Sequence, residues 1–242
     1  MILTRVGGAL AFVPIPGFRN TPAVARIVLI LAVTLSLLPA WPDLGATSAA
    51  FSPFWLLSEL ALGLTAGVLV AWLNEAFLLA MQILGLQAGY AYASMIDPTT
   101  QADSSTLQII AQLCASLLFF AAGLDRELLR VFSLSLEAHP PGLYRIEELT
   151  MSRVIGFTAS MLALATRLAL PLISLLILVD VALALLGRIN ASLQMLTLAF
   201  PAKMLISMAV LTVLAGLLPS LYENAAAGMV TLLRTTLAGA SP

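Results

Sequence analysis

Six apolar stretches constrain this chain more than any motif in it: Val24 to Trp41, Phe54 to Leu73, Ala76 to Ile96, Thr106 to Leu124, Val154 to Leu186 and Pro201 to Tyr222. About 20 consecutive apolar residues cross a hydrocarbon core of roughly 30 Å as a helix. The stretches are continuous rather than alternating, so helices are expected and barrel strands are not, because backbone inside lipid must satisfy its own hydrogen bonds. Of the 242 residues 61% are apolar and 10% charged, against about 25% charged in a soluble domain. The expected class is all-α, a polytopic integral membrane protein of about six apolar helical segments. A formal net charge of -1 offers no basic surface for nucleic acid.

The connections carry turn chemistry. Pro14, Pro16 and Gly17 punctuate the N-terminal region, Pro39, Pro42 and Pro53 bracket an Ala/Ser-rich segment, and Asp97-Pro98 opens a polar loop that runs to Ser105. In the charged stretch after Leu124, Arg126, Arg130, Ser133 and Glu137 fall opposite Leu128, Leu129, Phe132 and Leu136. That spacing predicts an amphipathic helix, lying in the membrane interface, packing on a partner or solvated. Ser48-Ala49-Ala50 follows the first apolar run, but the run begins too late for a signal peptide, so an uncleaved anchor is expected. A six-span zigzag places Arg5, Arg19, Arg26, Arg126, Arg130, Arg145, Arg153 and Arg234 on one side, with Arg188 and Lys203 on the other. Both termini are then cytoplasmic. A re-entrant hairpin broken at Pro171 would invert everything after it.

Within the spans, Gly63 and Gly67, Gly85 and Gly89, and Ala111 and Ala115 repeat small residues at a spacing of four, which lets helix backbones approach closely. Gln82, Gln87, Gln108 and Gln112 should face protein or a wet cavity, since lipid-facing amides are costly. The intramembrane charges are Glu59, Arg167 and Asp180, with Glu75 and Lys203 near span ends. Such groups mark a pathway for protons or substrate, or else neutralise one another. Here a kink at Pro171 would bring Arg167 to Asp180.

Catalytic machinery is not expected. The lone histidine, His139, precedes Pro140 and Pro141 and is the sole candidate for a His-based triad or metal site, which need several convergent partners. The lone Cys114 forms no intrachain disulfide and is expected to be buried. No phosphate-binding loop, paired-carboxylate signature or HExxH motif occurs. Catalytic, cofactor-binding and metal sites are therefore expected to be none, and a membrane enzyme built on Asp180 or Glu59 lacks a second catalytic group. A proton-coupled secondary transporter remains the alternative; its hallmark would be matching broken helices in two halves.

The stretch Gly85-Leu-Gln-Ala-Gly-Tyr-Ala-Tyr-Ala-Ser-Met-Ile-Asp-Pro98 resembles the signature region of the FliR family of flagellar export-gate proteins, whose type III secretion counterpart is SctT. Pro14-Ile-Pro-Gly-Phe-Arg19 with Pro22 and Arg26, Leu168-Ala-Leu-Pro171, Asp180, Arg188 and Phe200-Pro-Ala-Lys203 follow in the family's order. The resemblance covers nearly the whole chain. It departs at Gly123-Leu124, where the family has Gly-His, and at Ala191-Ser192, where it has Pro-Gln. The family also usually carries about half a span more before Arg5, so this N-terminus looks short.

The resemblance implies a non-enzymatic, multi-pass inner-membrane subunit of the flagellar basal body, built of helical hairpins. Residues 1–150 would form a P-type-like half with the central amphipathic segment, and residues 151–242 a Q-type-like half. Its implied partners are P-type and Q-type export-gate subunits (FliP and FliQ homologues), an FlhB-like switch subunit, membrane lipid and the unfolded exported proteins. The polar loop Asp97, Pro98, Thr99, Thr100, Gln101, Ala102, Asp103, Ser104, Ser105 maps onto the family's pore plug. The form of the GLQAGYAYASMIDP stretch favours flagellar over virulence service.

Overall fold

The computed structural model describes residues 1–14, 22–41, 53–89, 106–139, 148–189 and 195–237, and these residues are helical with no strand among them. The helices are α1 (Ile2–Leu10), α2 (Ala23–Ser36) with a 3-10 turn at Leu38–Ala40, α3 (Pro53–Ala88), α4 (Thr106–Ala121), α5 (Leu124–Ala138), α6 (Glu148–Ile189), α7 (Met195–Ala215) and α8 (Leu218–Leu237).

Every apolar run is helical over most of its described length, but the division into spans differs from the zigzag. Phe54 to Leu73 and the described part of Ala76 to Ile96 share the one helix α3, because Leu73-Asn74-Glu75 holds no residue that stops a helix. Two helices, Phe54–Ala88 and Thr150–Arg188, are long and apolar enough to cross a membrane, and up to four candidates exist if each bent pair counts as one span. Those pairs bend by 58° between α4 and α5 and by 59° between α7 and α8.

The breaks have local causes. Gly123 takes φ +67 and caps α5, whose first turn carries Asp125 and Glu127 where the helix dipole favours acids. Helix α3 ends at Gly89, which has φ +86 and donates its N–H to the Leu86 carbonyl. Gly89 therefore terminates a helix, a role the four-residue spacing from Gly85 did not suggest. Pro171, by contrast, stands inside an uninterrupted α6. No hairpin forms there, and the loss is confined to one backbone donor.

The chain divides into two compact units. The first comprises Met1–Asn74, Ser116–Ser160 and Glu223–Pro242; the second comprises Glu75–Ala115 and Met161–Tyr222. In the first unit, α5 turns Leu124, Leu128, Val131, Phe132, Ser135 and Leu136 inward. The amphipathic helix thus packs on its own chain, with the buried stripe rotated so that Leu129 stays exposed. On its outer side Glu127 accepts from Arg234 of α8 and pairs with Arg130 at 3.6 Å. In the second unit, Phe77 packs against the buried Tyr222 with ring centroids 5.1 Å apart and the rings tilted by 45°. Ala111 and Ala115 are both buried, whereas Cys114 between them is exposed, because neighbouring helical positions face different sides.

Candidate functional site

Glu59 is the intramembrane acid that the structure buries completely, and its partner is Arg5. Arg5 Nε donates to Glu59 Oε2 at 2.6 Å and Nη2 to Oε1 at 3.0 Å, a fork-to-fork pair that matches the two planar groups. The remaining N–H groups go to the C-terminal end of α5. Nη1 donates to the Ser135 carbonyl at 3.0 Å and to Ser135 Oγ at 3.1 Å, and Nη2 donates to the His139 carbonyl at 2.9 Å. A guanidinium has five N–H donors, and all are directed at acceptors in a site with no solvent access.

The geometry has a clear electrostatic logic. Helix α5 has no basic residue in its own last turn, and Pro140-Pro141 cannot extend it. Its terminal carbonyls and dipole are met by a cation borrowed from α1. Glu59 in turn neutralises that cation, so one side chain fastens α1, α3 and α5 together.

Such a fork requires close backbones. A Cβ on Gly63 would lie 2.0 Å from the Arg5 carbonyl oxygen, and one on Gly67 would lie 2.7 Å from that of Ala9. Gly8 of α1 reciprocates, with the Leu60 carbonyl 3.1 Å from its Cβ position. Glu59 lies one turn from Gly63 on α3, so the acid and the glycines face the same helix.

The other charges are placed differently from the kink expectation. Arg167 and Asp180 sit thirteen residues apart on the one helix α6, about 20 Å along its axis. They do not pair. Arg167 is exposed, and Asp180 Oδ1 instead meets Lys203 Nζ of α7, within the second unit. Two residues that carry the family resemblance, Asp180 and Lys203, are thereby brought together.

Arg5 is the residue that sequence reasoning misplaced. The zigzag counts Arg5 among the charges that set the orientation, whereas it lies within α1 at zero exposure. The available signal was Glu59 itself, since an acid in an apolar helix requires a cation and Arg5 stands among apolar residues. Gly8 stands on a helix of nine residues, too short to be read as a span from the sequence. Gly85 is buried in α3 near its end. The polar loop Asp97 to Ser105 lies outside the described residues. Among the described residues, no group of three or more His, Cys, Asp or Glu is placed to hold a metal.

These features define an all-helical protein with apolar helices of membrane-crossing length, whose buried charges fasten helices together. Residues 1–229 match the family described as bacterial export proteins, family 1, and the chain belongs to that family, the FliR family. It is similar to the flagellar biosynthetic protein FliR of Escherichia coli K12, 26% identical over 226 residues that cover 92% of this chain and 85% of that protein. The FliR protein of Pectobacterium carotovorum is 25% identical over 228 residues, covering 91% of this chain and 85% of the relative. That of Bacillus subtilis is 24% identical over 249 residues, covering 98% and 93%.

Proposed function

We propose that this chain is a subunit of the flagellar type III export gate in the bacterial inner membrane, forming with P-type and Q-type subunits the channel through which unfolded flagellar proteins leave the cell. The observation that carries this beyond family membership is the length and bareness of α6. Its apolar segment Thr150–Arg188 has 39 residues, and only 17% of its most apolar window is buried in the chain. At about 1.5 Å per residue the segment extends roughly 58 Å, almost twice a hydrocarbon core of about 30 Å. Lipid alone does not cover that length in an upright helix; neighbouring apolar subunits do. Gln82, on an exposed helix position, favours cover by protein over lipid, since an amide facing lipid is costly.

In this reading the halves 1–150 and 151–242 correspond to the P-type-like and Q-type-like parts. Each contains a long helix followed by a bent pair: α3 before α4 and α5, and α6 before α7 and α8. The chain acts as conduit and scaffold rather than as an enzyme, with an FlhB-like switch subunit as neighbour. The loop Asp97 to Ser105 serves as a plug held by weak polar contacts.

The channel role is tested at that loop. Deleting Thr99 to Ser104 in the co-expressed assembly is expected to leave accumulation near wild type while making the inner membrane leaky to small ions. A deleted, fully assembled gate as tight as wild type would reduce the loop to an ordinary surface connection, which tolerates shortening.

A further inference from the structure

A groove of about 370 Å³ opens in the first unit between the start of α6 and the last turns of α8. It exists because Gly156 on one wall and Gly228 on the other carry no side chain, and nothing lies within 4 Å of a Cβ at either position. Phe157, which is buried, and Leu232, which is half-buried, make its walls apolar.

The polar groups in the groove are sorted by kind. The lining hydroxyls of Ser160, Thr231 and Thr235 donate to the carbonyls of Phe157, Ala227 and Leu232 in their own helices. Each therefore offers a ligand only its lone pairs. Arg153 carries the one charge among the described lining residues, and its exposed guanidinium is a donor without acceptor capacity. An anion is thus drawn to Arg153, and hydrogen-bond donors to the hydroxyl oxygens.

Position along the helix narrows the ligand further. Arg153 stands three residues inside the apolar segment Thr150–Arg188, and Ser160 lies seven residues further on, about 10 Å along the axis. The groove accordingly leads from the end of a membrane-crossing segment, where cations meet headgroups, toward hydrocarbon depth. A free anion would leave the apolar walls uncovered. A helix about 10 Å across would need roughly 800 Å³ over the same length, twice the space present. A molecule with a phosphate at one end and a hydrocarbon chain at the other suits both the charge and the walls.

We propose that the groove between α6 and α8 binds an anionic phospholipid, its phosphate on Arg153 and an acyl chain lying against Phe157 and Leu232 over the two glycines. A hydroxyl-bearing headgroup, as in phosphatidylglycerol, donates to the threonine oxygens. The site lies wholly on this chain, so it does not depend on which subunits accompany it.

The test uses the full tagged chain, co-expressed with its P-type and Q-type neighbours, extracted in mild detergent and given phosphatidylglycerol with a photoreactive group in one acyl chain. Mass spectrometry then locates the labelled peptides. Adducts are expected within 153–160 and 228–235, displaced by unlabelled phosphatidylglycerol and not by inorganic phosphate. Displacement by inorganic phosphate would make this an anion site and overturn the lipid assignment. Gly228→Leu places a side chain in the groove and is expected to lower labelling there by roughly tenfold or more. Arg153→Gln changes an exposed residue, so it decides the matter even if Gly228→Leu fails to accumulate. It is expected to abolish the preference for phosphatidylglycerol over phosphatidylcholine while acyl-chain labelling persists. A preference unchanged in Arg153→Gln, or labelling undiminished in an accumulated Gly228→Leu chain, would show that lipid coats this surface without a site. Adducts absent from the groove in wild type, whether a neighbouring subunit or water fills it, would also overturn the proposal.

Discussion

Glu59→Ala is expected to destabilise the first unit by about 3–5 kcal/mol, the cost of leaving a buried cation without its counter-charge. Arg5 has no solvent access into which its guanidinium can turn, and its other acceptors are a hydroxyl and neutral carbonyls. The expected readout is a lower unfolding midpoint in detergent together with reduced accumulation in cells. Arg5→Met alone is expected to be similarly harmful, since it leaves the Glu59 carboxylate in the same pocket. Combining Arg5→Met with Glu59→Leu removes both charges and should recover a large part of the loss. A double variant no better than either single one would mean that the capping bonds to Ser135 and His139 outweigh the ion pair. As a contrast, Glu127 and Arg234 form a partly exposed pair, and such pairs are worth about 0–1 kcal/mol.

Gly63→Ala is the second large effect. The added methyl carbon would overlap the Arg5 carbonyl oxygen at 2.0 Å, and that atom belongs to backbone, so no rotamer change relieves it. Helix α1 must move away, which also lengthens the Arg5–Glu59 fork. A loss of about 1–3 kcal/mol is expected from the overpacking alone, with the loosened ion pair adding to it. Gly156→Ala and Gly228→Ala are the controls, because nothing lies within 4 Å of a Cβ at either position. These are expected to be neutral in the isolated chain or to stabilise it by about 0.5–1 kcal/mol through helix propensity. Thermal unfolding of the three variants side by side checks the ordering, and a Gly63→Ala protein as stable as the controls would contradict the close approach of α1 to α3.

The helical class was legible because long continuous apolar runs leave backbone no other way to satisfy itself in lipid. The identity of Glu59 as a group needing a partner was legible on the same ground. Its partner was not, since Arg5 is fifty-four residues away in sequence, and a single cation near a terminus looks like a flanking charge. The spacing of Gly63 and Gly67 is visible in the sequence, but the backbone lying against them belongs to a helix of nine residues. The pairing of Arg167 with Asp180 assumed that Pro171 breaks its helix. Proline removes one hydrogen bond and does not always end an apolar helix. Once α6 is continuous, thirteen residues of separation exclude the contact, and Asp180 finds Lys203 on the next helix instead. Gly89 shows the reverse confusion: a spacing suited to helix packing belongs to a residue whose positive φ ends the helix.

If this chain works as one component of a larger membrane assembly, the mass of the particle that contains it will show it. Tagged chain, co-expressed with its P-type and Q-type neighbours and extracted in mild detergent, should be measured by native mass spectrometry. One copy of this 25.5 kDa chain is expected bound to several copies of the partner subunits, while the chain expressed alone aggregates or is degraded. A stable, monodisperse species at the mass of the single chain, obtained equally with and without the neighbours, would contradict it.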